Sequence, residues 1–428
     1  MDIKFIHNLF LKCNSISIDT RKIEVNSFFI AIKGDNFDAN TFANEALEKG
    51  ASYVLLDNKE YYIDERTIIV EDSLKALQEL AKYHRDYLGL PIIALTGSNG
   101  KTTTKELINV VLSKKFKTKA TVGNLNNHIG VPLTILSFTE NTEIGIVEMG
   151  ANHKKEIEFL CEIAKPDYGY ITNFGKAHLE GFGGVEGVIE GKSEMYHYLF
   201  DNNKMAFVNL EDPIQVVKSH ALKSYSFGLN KVNAHVVIKK IEANPFVIIS
   251  YSEQIISTHL IGLYNANNIN AAIAIGTYFG VDNTDIKDAL ESYIPENNRS
   301  QLIVRGTNEI ILDAYNANPS SMKVAIENFI LLDKKNKIAF LGDMFELGEE
   351  SLEEHKYIVG LLQNRKDIKC YFIGKDFFQN KVNSSSCLFF DSFDSFSLSI
   401  KGIDFDHNMI LIKGSRGMAL ERTLEFIK

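Results

Sequence analysis

The chain has 428 residues, 45% hydrophobic and 24% charged, with a formal net charge of -9. At roughly 150 residues per domain the length predicts about three globular units. The acidic balance argues against a nucleic-acid partner, which needs a basic surplus on one face. The four cysteines, Cys13, Cys161, Cys370 and Cys387, form no CxxC pair, so no zinc site or disulfide framework is signalled and a reducing, cytoplasmic setting is expected. No run approaches 18 apolar residues, and the N-terminal MDIKFIHNLFLKC lacks the features of a secretory leader, so no membrane span is expected.

Short apolar runs alternate with amphipathic stretches and no repeat is visible, which reads as α/β. Residues 1–88 form a first, small α/β unit with strands in FFIAIKG (Phe28–Gly34) and YVLLD (Tyr53–Asp57). Residues 89–298 form a second. It opens with LPIIALTG (Leu90–Gly97), a buried β-run leading through a loop to a helix from about Lys101. Further strands are expected in IGIVEMG (Ile144–Gly150), YGYITNFG (Tyr168–Gly175) and MAFVNLED (Met205–Asp212). Residues 299–428 form a third, with strands in EIILDAYN (Glu309–Asn316), KIAFLGDM (Lys337–Met344), KCYFIG (Lys369–Gly374) and MILIKGS (Met409–Ser415). These runs end in Gly, Asp, Asn, Lys, Met or Ser. Turn chemistry alone accounts for any one of them, but in open parallel sheets ligands bind outside the carboxyl ends of the strands.

The segment TGSNGKTTT (Thr96–Thr104) carries the clearest chemistry. Gly97, Ser98, Asn99 and Gly100 turn the backbone so that N–H groups face an anion at a helix N-terminus. Lys101 can reach β- and γ-phosphates, and the Thr102 hydroxyl, followed by Thr103, can bind Mg²⁺. Leu95 occupies the position of the first glycine of the longer phosphate-loop pattern, so the match is to the shorter GxxGKT form. Glu148 places a carboxylate at the end of an apolar run, which is costly unless it is paired or metal-bound; a turn or capping acid is the alternative. His178 follows the next strand, and nothing local decides its role. Lys192, on a predicted helix, is an ordinary solvated cation on its residues alone. Asn265 and Asn268 could bind a base or ribose, Arg299 could grip a phosphate with two donors, and Asp313 could orient a ribose hydroxyl. Each also has a cap or turn reading.

In order, TGSNGKTT, GNLNNHIGVP (Gly123–Pro132), EMGA, TNFGKAH, GKSE, YNANN, NNRS (Asn297–Ser300), DAYNANPSSM (Asp313–Met322), LGDMFELGE (Leu341–Glu349) and KGSRGMALE (Lys413–Glu421) resemble the Mur ligase family from about Asp19 to Glu421. GNLNN with IGVP, DAYNANPSSM and GDMFELGE resemble the branch that adds D-alanyl-D-alanine to UDP-N-acetylmuramoyl-tripeptide. The resemblance implies a small UDP-sugar-binding unit, a central P-loop mononucleotide-binding unit with a mostly parallel sheet, and a Rossmann-like unit for the incoming dipeptide. It implies ATP-dependent amide formation through an acyl phosphate, in peptidoglycan precursor synthesis, by a cytoplasmic monomer acting on small molecules. Thr20, Arg21, Lys33, Gly34, Asn124, Asn126 and Asn127 would meet the UDP-sugar. The loop with Asn265, Asn268, Arg299 and Asp313 would meet ATP. Of two Mg²⁺ ions, Thr102 and Glu148 would serve the first and His178 the second. Lys192 would be carbamylated by CO₂ into an anionic metal ligand, and Lys101, His178 and Lys192 would carry the catalysis. Asn316, Asn318, Ser321, Lys413 and Ser415 would lie on the dipeptide side. Two departures stand out: Asp38-Ala39-Asn40 where the related enzymes have Asp-Gly-His, and Tyr264 where they often carry His. A P-loop kinase or NTPase, which would need no third unit and no amine, and a catalytically idle nucleotide binder are the competing classes.

Overall fold

A computed structural model describes residues 2–34, 36–296 and 298–428; Met1, Asp35 and Asn297, the last within the NNRS segment, lie outside them. The first unit is a four-stranded parallel sheet in the order Ser15–Ser17, Ser27–Ile30, Ala51–Leu56, Thr67–Ile69. Ser27–Ile30 is buried at every position, which is why it reads as a continuous apolar run. The helix Ser73–Leu88 is started by Asp72, whose side chain accepts from Lys75 N, and is ended by Gly89 in the left-handed region, the two ordinary terminators of a helix. Its stripe of Ala76, Leu77, Leu80 and Ala81 is buried in the same core as Phe28 and Ile30.

The Asp38-Ala39-Asn40 departure has a structural role here. Asn40 is 1% exposed, and its Nδ2 donates to Asp38 Oδ1 (2.6 Å) and Asp57 Oδ1 (2.8 Å) while its Oδ1 accepts from Asp57 N. Asp57 in turn accepts from Ser73 N through Oδ2. One amide thus ties two strand ends to the start of a helix.

The second unit is built on a nine-stranded sheet. From one edge, Thr118–Ala120, Ile144–Glu148, Ile92–Thr96, Tyr168–Ile171, Met205–Asn209, Lys223–Leu229 and Val236–Ala243 run parallel. Phe246–Tyr251 and Gln254–Ile261 then extend it antiparallel. The chain passes from Ile92–Thr96 to strands on one side and then to strands on the other, so the sheet's topological switch point lies at Thr96, where a ligand crevice is expected. The helix Lys101–Leu112 buries Leu107, Ile108, Val111 and Leu112 in one core with Ile269, Ala272 and Ile273 of the helix Ala266–Tyr278. At about 2 kcal/mol per fully buried aliphatic side chain, this packing fixes the helix that begins at Lys101.

The third unit is a six-stranded sheet ordered Gln301–Arg305, Asn308–Asp313, Met409–Lys413, Lys337–Gly342, Ile368–Ile373, Cys387–Phe390, parallel except for the first strand. Asp313 and Lys413 are register partners at the carboxyl ends of adjacent strands. The α/β class and the parallel sheets expected from sequence are present. The antiparallel extension from Phe246 to Ile261 and the short strands Thr118–Ala120, Gln301–Arg305 and Cys387–Phe390 were not anticipated.

Candidate functional site

The loop after Ile92–Thr96 is held in shape by the next strand's TNFG segment. Ser98 N donates to Asn173 O and Asn99 N to Asn173 Oδ1. Asn99 O accepts from Thr172 Oγ1 (2.6 Å) and Asn173 Nδ2 (2.9 Å), and Ser98 Oγ donates to Gly175 O (2.6 Å). Two glycines are obligatory. At Gly97, with φ +139°, a Cβ would lie 2.0 Å from Thr172 Oγ1; at Gly100, with φ +78°, it would lie 2.6 Å from Asn268 Oδ1. Only glycine allows both the backbone geometry and the close approach. Gly100 is also the residue before the helix, so its neighbours' N–H groups open toward the cleft at the positive end of the helix dipole.

Lys101 Nζ donates to Gly97 O (2.7 Å). Burial lowers its pKa, Glu148 opposes the shift and Arg299 adds to it. Glu148 is 1% exposed. Its Oε1 accepts from Asn126 Nδ2 (2.8 Å) and Thr102 Oγ1 (3.3 Å), while its Oε2 is buried without a hydrogen-bond partner among the described residues. A buried carboxylate oxygen left unpaired is expensive. This free Oε2 and the nearby Thr102 hydroxyl, beside a phosphate loop, make the donor set of a hard cation that keeps most of its coordination for water and phosphate. Among the described residues no three His, Cys, Asp or Glu side chains form a self-sufficient metal cluster. The donors fit Mg²⁺ held jointly with a nucleotide rather than an all-protein metal cage.

Around this point lies a cleft of about 870 Å³ between the second and third units. The phosphate loop from Ser98 to Thr103, Asn124, Asn126, Asn127, Glu148, His178, Asn265 and Asn268 line it from one side; Arg299, Asp313, Asn316, Asn318, Ser321, Lys413 and Ser415 line it from the other. The walls touch: Asn318 Nδ2 donates to Asn99 Oδ1 (2.7 Å), Lys176 N donates to Ser320 Oγ (2.7 Å), and Lys176 pairs with Glu354 and His178 with Glu346. His178 adopts the left-handed conformation at φ +53°, unusual for a residue with a Cβ. Burial, together with Lys101 and Lys192, lowers its pKa against the opposing pull of Glu346.

Several asparagines make turn, cap or bracing hydrogen bonds while lining the cleft. Asn127 Oδ1 accepts from Ile129 N and Gly130 N, a turn role, while the residue also faces the cleft. Asn318 caps the helix Pro319–Leu331 in a reciprocal box with Ser321. Asn268 Oδ1 accepts from Thr104 Oγ1 and its Nδ2 donates to Asn265 Oδ1, joining two helices behind the loop. Asp313 accepts from Ser300 N and from Lys413 Nζ (2.6 Å). Tyr264 donates to or accepts from Ser300 Oγ (2.7 Å), so this departure bridges the second and third units.

Two groups of expected residues lie apart from the cleft wall. Lys192 is 1% exposed within the helix Val185–Asp201 and is not a lining residue. Among the described residues its Nζ has one hydrogen-bond partner, Ala151 O at 3.3 Å, and it sits 5.0 Å from the centroid of the Phe182 ring. Burial, reinforced by Lys101, pushes its pKa well below the usual lysine value. The solvated-cation reading of this residue therefore fails: it is a buried amine whose charged form is disfavoured by burial. Thr20, Arg21, Lys33 and Gly34 belong to the first unit, outside the cleft lining; Arg21 is exposed and forks onto Asp19 through Nε and Nη2. Asn173, Ser320, Tyr315, Phe345 and Arg416 line the cleft but were not singled out from sequence. All five lie inside motifs quoted above, Asn173 in TNFGKAH, Tyr315 and Ser320 in DAYNANPSSM, Phe345 in LGDMFELGE and Arg416 in KGSRGMALE, but a motif does not say which of its side chains faces the cleft.

Fold and site together define a three-unit α/β protein with a phosphate loop at a sheet switch point, facing a third unit across a deep cleft. Family models match along the chain: the Mur ligase family catalytic domain at residues 12–85, the Mur ligase middle domain at 95–276 and the Mur ligase glutamate ligase domain at 298–416. The UDP-N-acetylmuramoyl-tripeptide--D-alanyl-D-alanine ligase of Bacillus subtilis is 35% identical over 427 residues, covering 96% of this chain and 92% of its own. The enzyme of the same name from Escherichia coli is 31% identical, covering 97% and 94%. Among solved structures, MurF from Acinetobacter baumannii superposes with a TM-score of 0.85 at 28% identity, covering 99% of this chain and 97% of that one. MurF from Thermotoga maritima in complex with ADP gives 0.83 at 28%, covering 97% of both. The chain belongs to the Mur ligase family, as its motifs implied.

Proposed function

We propose that this protein is an ATP-dependent ligase that joins D-alanyl-D-alanine to UDP-N-acetylmuramoyl-tripeptide, the reaction in the names of its Bacillus subtilis and Escherichia coli relatives. The observation that carries the proposal is the meeting, in one cleft, of the phosphate loop and the DAYNANPSSM segment through the Asn99–Asn318 hydrogen bond. A simple phosphotransferase needs the first wall alone. Forming an amide from a carboxylate needs a second wall that presents an amine to the activated acyl carbon.

In this reading the tripeptide carboxylate attacks the γ-phosphorus of ATP and ADP leaves. The dipeptide amine then attacks the acyl carbon, and phosphate departs with the carboxylate oxygen. Backbone N–H groups of Gly100–Thr103 hold the phosphates, those of Ser98 and Asn99 being engaged by Asn173, and Lys101 leaves Gly97 O to offset charge on the transferring group, since phosphoryl transfer depends mainly on positioning and neutralisation. Thr102 and Glu148 would hold Mg²⁺, with His178 toward a second ion; the bound ions would supply charge neutralisation across the phosphates. Asn126 orients the Glu148 carboxylate. Lys192 is the site of carbamylation, for which a neutral buried amine is the required nucleophile toward CO₂. Asn265, Asn268, Arg299 and Asp313 serve the nucleoside and phosphates; Asn316, Asn318, Ser321, Lys413 and Ser415 serve the dipeptide. Thr20, Arg21, Lys33 and Gly34, with Asn124, Asn126 and Asn127, serve the UDP-sugar. The reading includes a cytoplasmic monomer in peptidoglycan precursor synthesis; no helix among the described residues is long and apolar enough to cross a membrane.

The test is phosphate release from ATP with the UDP-tripeptide, with and without D-alanyl-D-alanine, alongside the product mass. Release that requires both acceptors and yields the pentapeptide supports the proposal. Release that ignores the dipeptide, or yields a phosphorylated product, assigns the protein to the kinase or NTPase class.

A further inference from the structure

An incoming D-alanyl-D-alanine carries a carboxylate at the end opposite its reacting amine, and a site that aims the amine must also hold that charge. Two cations of the third unit's last strand-to-loop segment line the cleft, Lys413 and Arg416. Lys413 is 2% exposed, and its Nζ lies 2.6 Å from Asp313 Oδ2 and 3.3 Å from Asn316 O, so its charge is already matched. Arg299, at the start of the unit, lies over the Tyr315 ring with its guanidinium carbon 3.7 Å from the centroid. Arg416 is less engaged than either, its guanidinium carbon lying 5.8 Å from the same Tyr315 centroid. Its side chain is 60% exposed, and among the described residues its guanidinium makes one hydrogen bond, from Nη1 to Glu421 Oε1 at 3.0 Å. Most of its fork of donors remains available, and that fork matches a carboxylate in shape and charge.

The surroundings of Arg416 suit a small apolar dipeptide. Phe345, 43% exposed, lines the same part of the cleft. It packs so closely on the next residue that a Cβ at Gly417 would lie 2.8 Å from its Cε2. The segment carrying Arg416 is anchored, because Ser415 N donates to Asp343 O (3.1 Å) and Ser415 Oγ accepts from Phe345 N (2.9 Å). A cationic fork thus stands on a pinned loop beside an aromatic face, at the wall opposite the phosphate loop.

We infer that Arg416 binds the carboxylate of the incoming dipeptide and sets the requirement for an acceptor with a free carboxyl end. The inference rests on the ligase reading above. The test compares D-alanyl-D-alanine with its C-terminal carboxamide as acceptors for the wild type, Arg416→Ala and Arg416→Lys. A charge-assisted pair of this kind gives roughly a 10- to 100-fold preference. The wild type is expected to favour the free acid by that factor in kcat/KM. Arg416→Ala is expected to reduce the preference to about threefold or less through the dipeptide KM, leaving the KM for ATP at the wild-type value, and Arg416→Lys is expected to fall between. A full preference retained in Arg416→Ala, or a loss that falls on the ATP KM instead, overturns the assignment. A wild type that forms no amide with either acceptor overturns the ligase reading itself, an outcome distinct from the failure of Arg416 alone.

Discussion

At the scale of single residues, three ionisable side chains in and beside the cleft bear most on the proposed chemistry. Lys101 is the donor closest to where negative charge develops in the proposed transfer. Lys101→Ala should lower kcat for dipeptide-dependent phosphate release by roughly 100- to 1,000-fold, the loss typical of one preorganised donor; a change of a few-fold would remove Lys101 from the chemistry. Glu148 holds an unpartnered oxygen next to Thr102. Glu148→Gln keeps its volume and removes its charge, so it should raise the Mg²⁺ concentration needed for half-maximal nucleotide binding by about tenfold or more. An unaltered Mg²⁺ titration would contradict the metal assignment. Lys192→Ala should abolish turnover and regain part of it with added short carboxylates; full activity without rescue would end the carbamate reading. Lys192 was not legible from the residues alone, because a lysine among polar helical neighbours looks solvated until the fold buries it. The family resemblance drew attention to it, and the fold supplies the physical reason in its burial and in the nearby Lys101 charge.

At the scale of elements, the phosphate loop works because the TNFG strand end braces it. Gly97→Ala would force a Cβ to within 2.0 Å of Thr172 Oγ1 at φ +139°. Strain of this kind costs about 1–3 kcal/mol, and it should appear as a 10-fold or greater loss of ATP affinity by calorimetry with a smaller drop in melting temperature. Wild-type affinity in that variant would mean that the loop is not the nucleotide site. The elements around the site were legible in sequence because buried parallel strands read as short apolar runs with polar ends, as in IIALT before Gly97 and IGIVE before Met149. The antiparallel strands Phe246–Tyr251 and Gln254–Ile261 were not. Their burial alternates, but outward positions also carry apolar residues such as Ile255 and the registers are bulged, so the residue pattern does not show the period. Arg416 was missed for a related reason: it lies in a glycine-flanked 3-10 turn, where spacing says nothing about which way a side chain faces.

At the scale of the whole molecule, the units are joined by contacts that respond differently to solution conditions. His7 and His84 are buried where the N-terminal helix Ile3–Phe10 meets the helix Ser73–Leu88. His84 Nε2 donates to Phe138 O of the second unit (3.0 Å), so its Nδ1 accepts from His7 Nε2 (2.9 Å). Both rings are held neutral. Burial and then the neighbouring His84 depress the His7 pKa from 6.5 to about 4, and burial depresses that of His84. With folded-state values below unfolded ones, the unfolded chain binds more protons, so stability is complete above about pH 6.5 and declines as the pH falls toward 4. For His7 the full decline is on the order of 3 kcal/mol. Denaturant unfolding at pH 7.5 and pH 4.5 should show it, and His7→Gln, whose amide still donates but does not titrate, should remove the His7 share of the difference. An equal acid loss in that variant would refute the linkage. Across the cleft, Lys176–Glu354, His178–Glu346 and Asn99–Asn318 join the second and third units, so the two halves of the proposed reaction meet only while these contacts hold.

The central claim, that the two walls act through an acyl phosphate, is tested most directly by the fate of one oxygen atom. UDP-N-acetylmuramoyl-tripeptide labelled with ¹⁸O in the reacting carboxylate should transfer one labelled oxygen to each phosphate released in the presence of ATP and D-alanyl-D-alanine. Unlabelled phosphate accompanying amide formation would contradict the acyl-phosphate route, and unlabelled phosphate without amide would identify an ATPase.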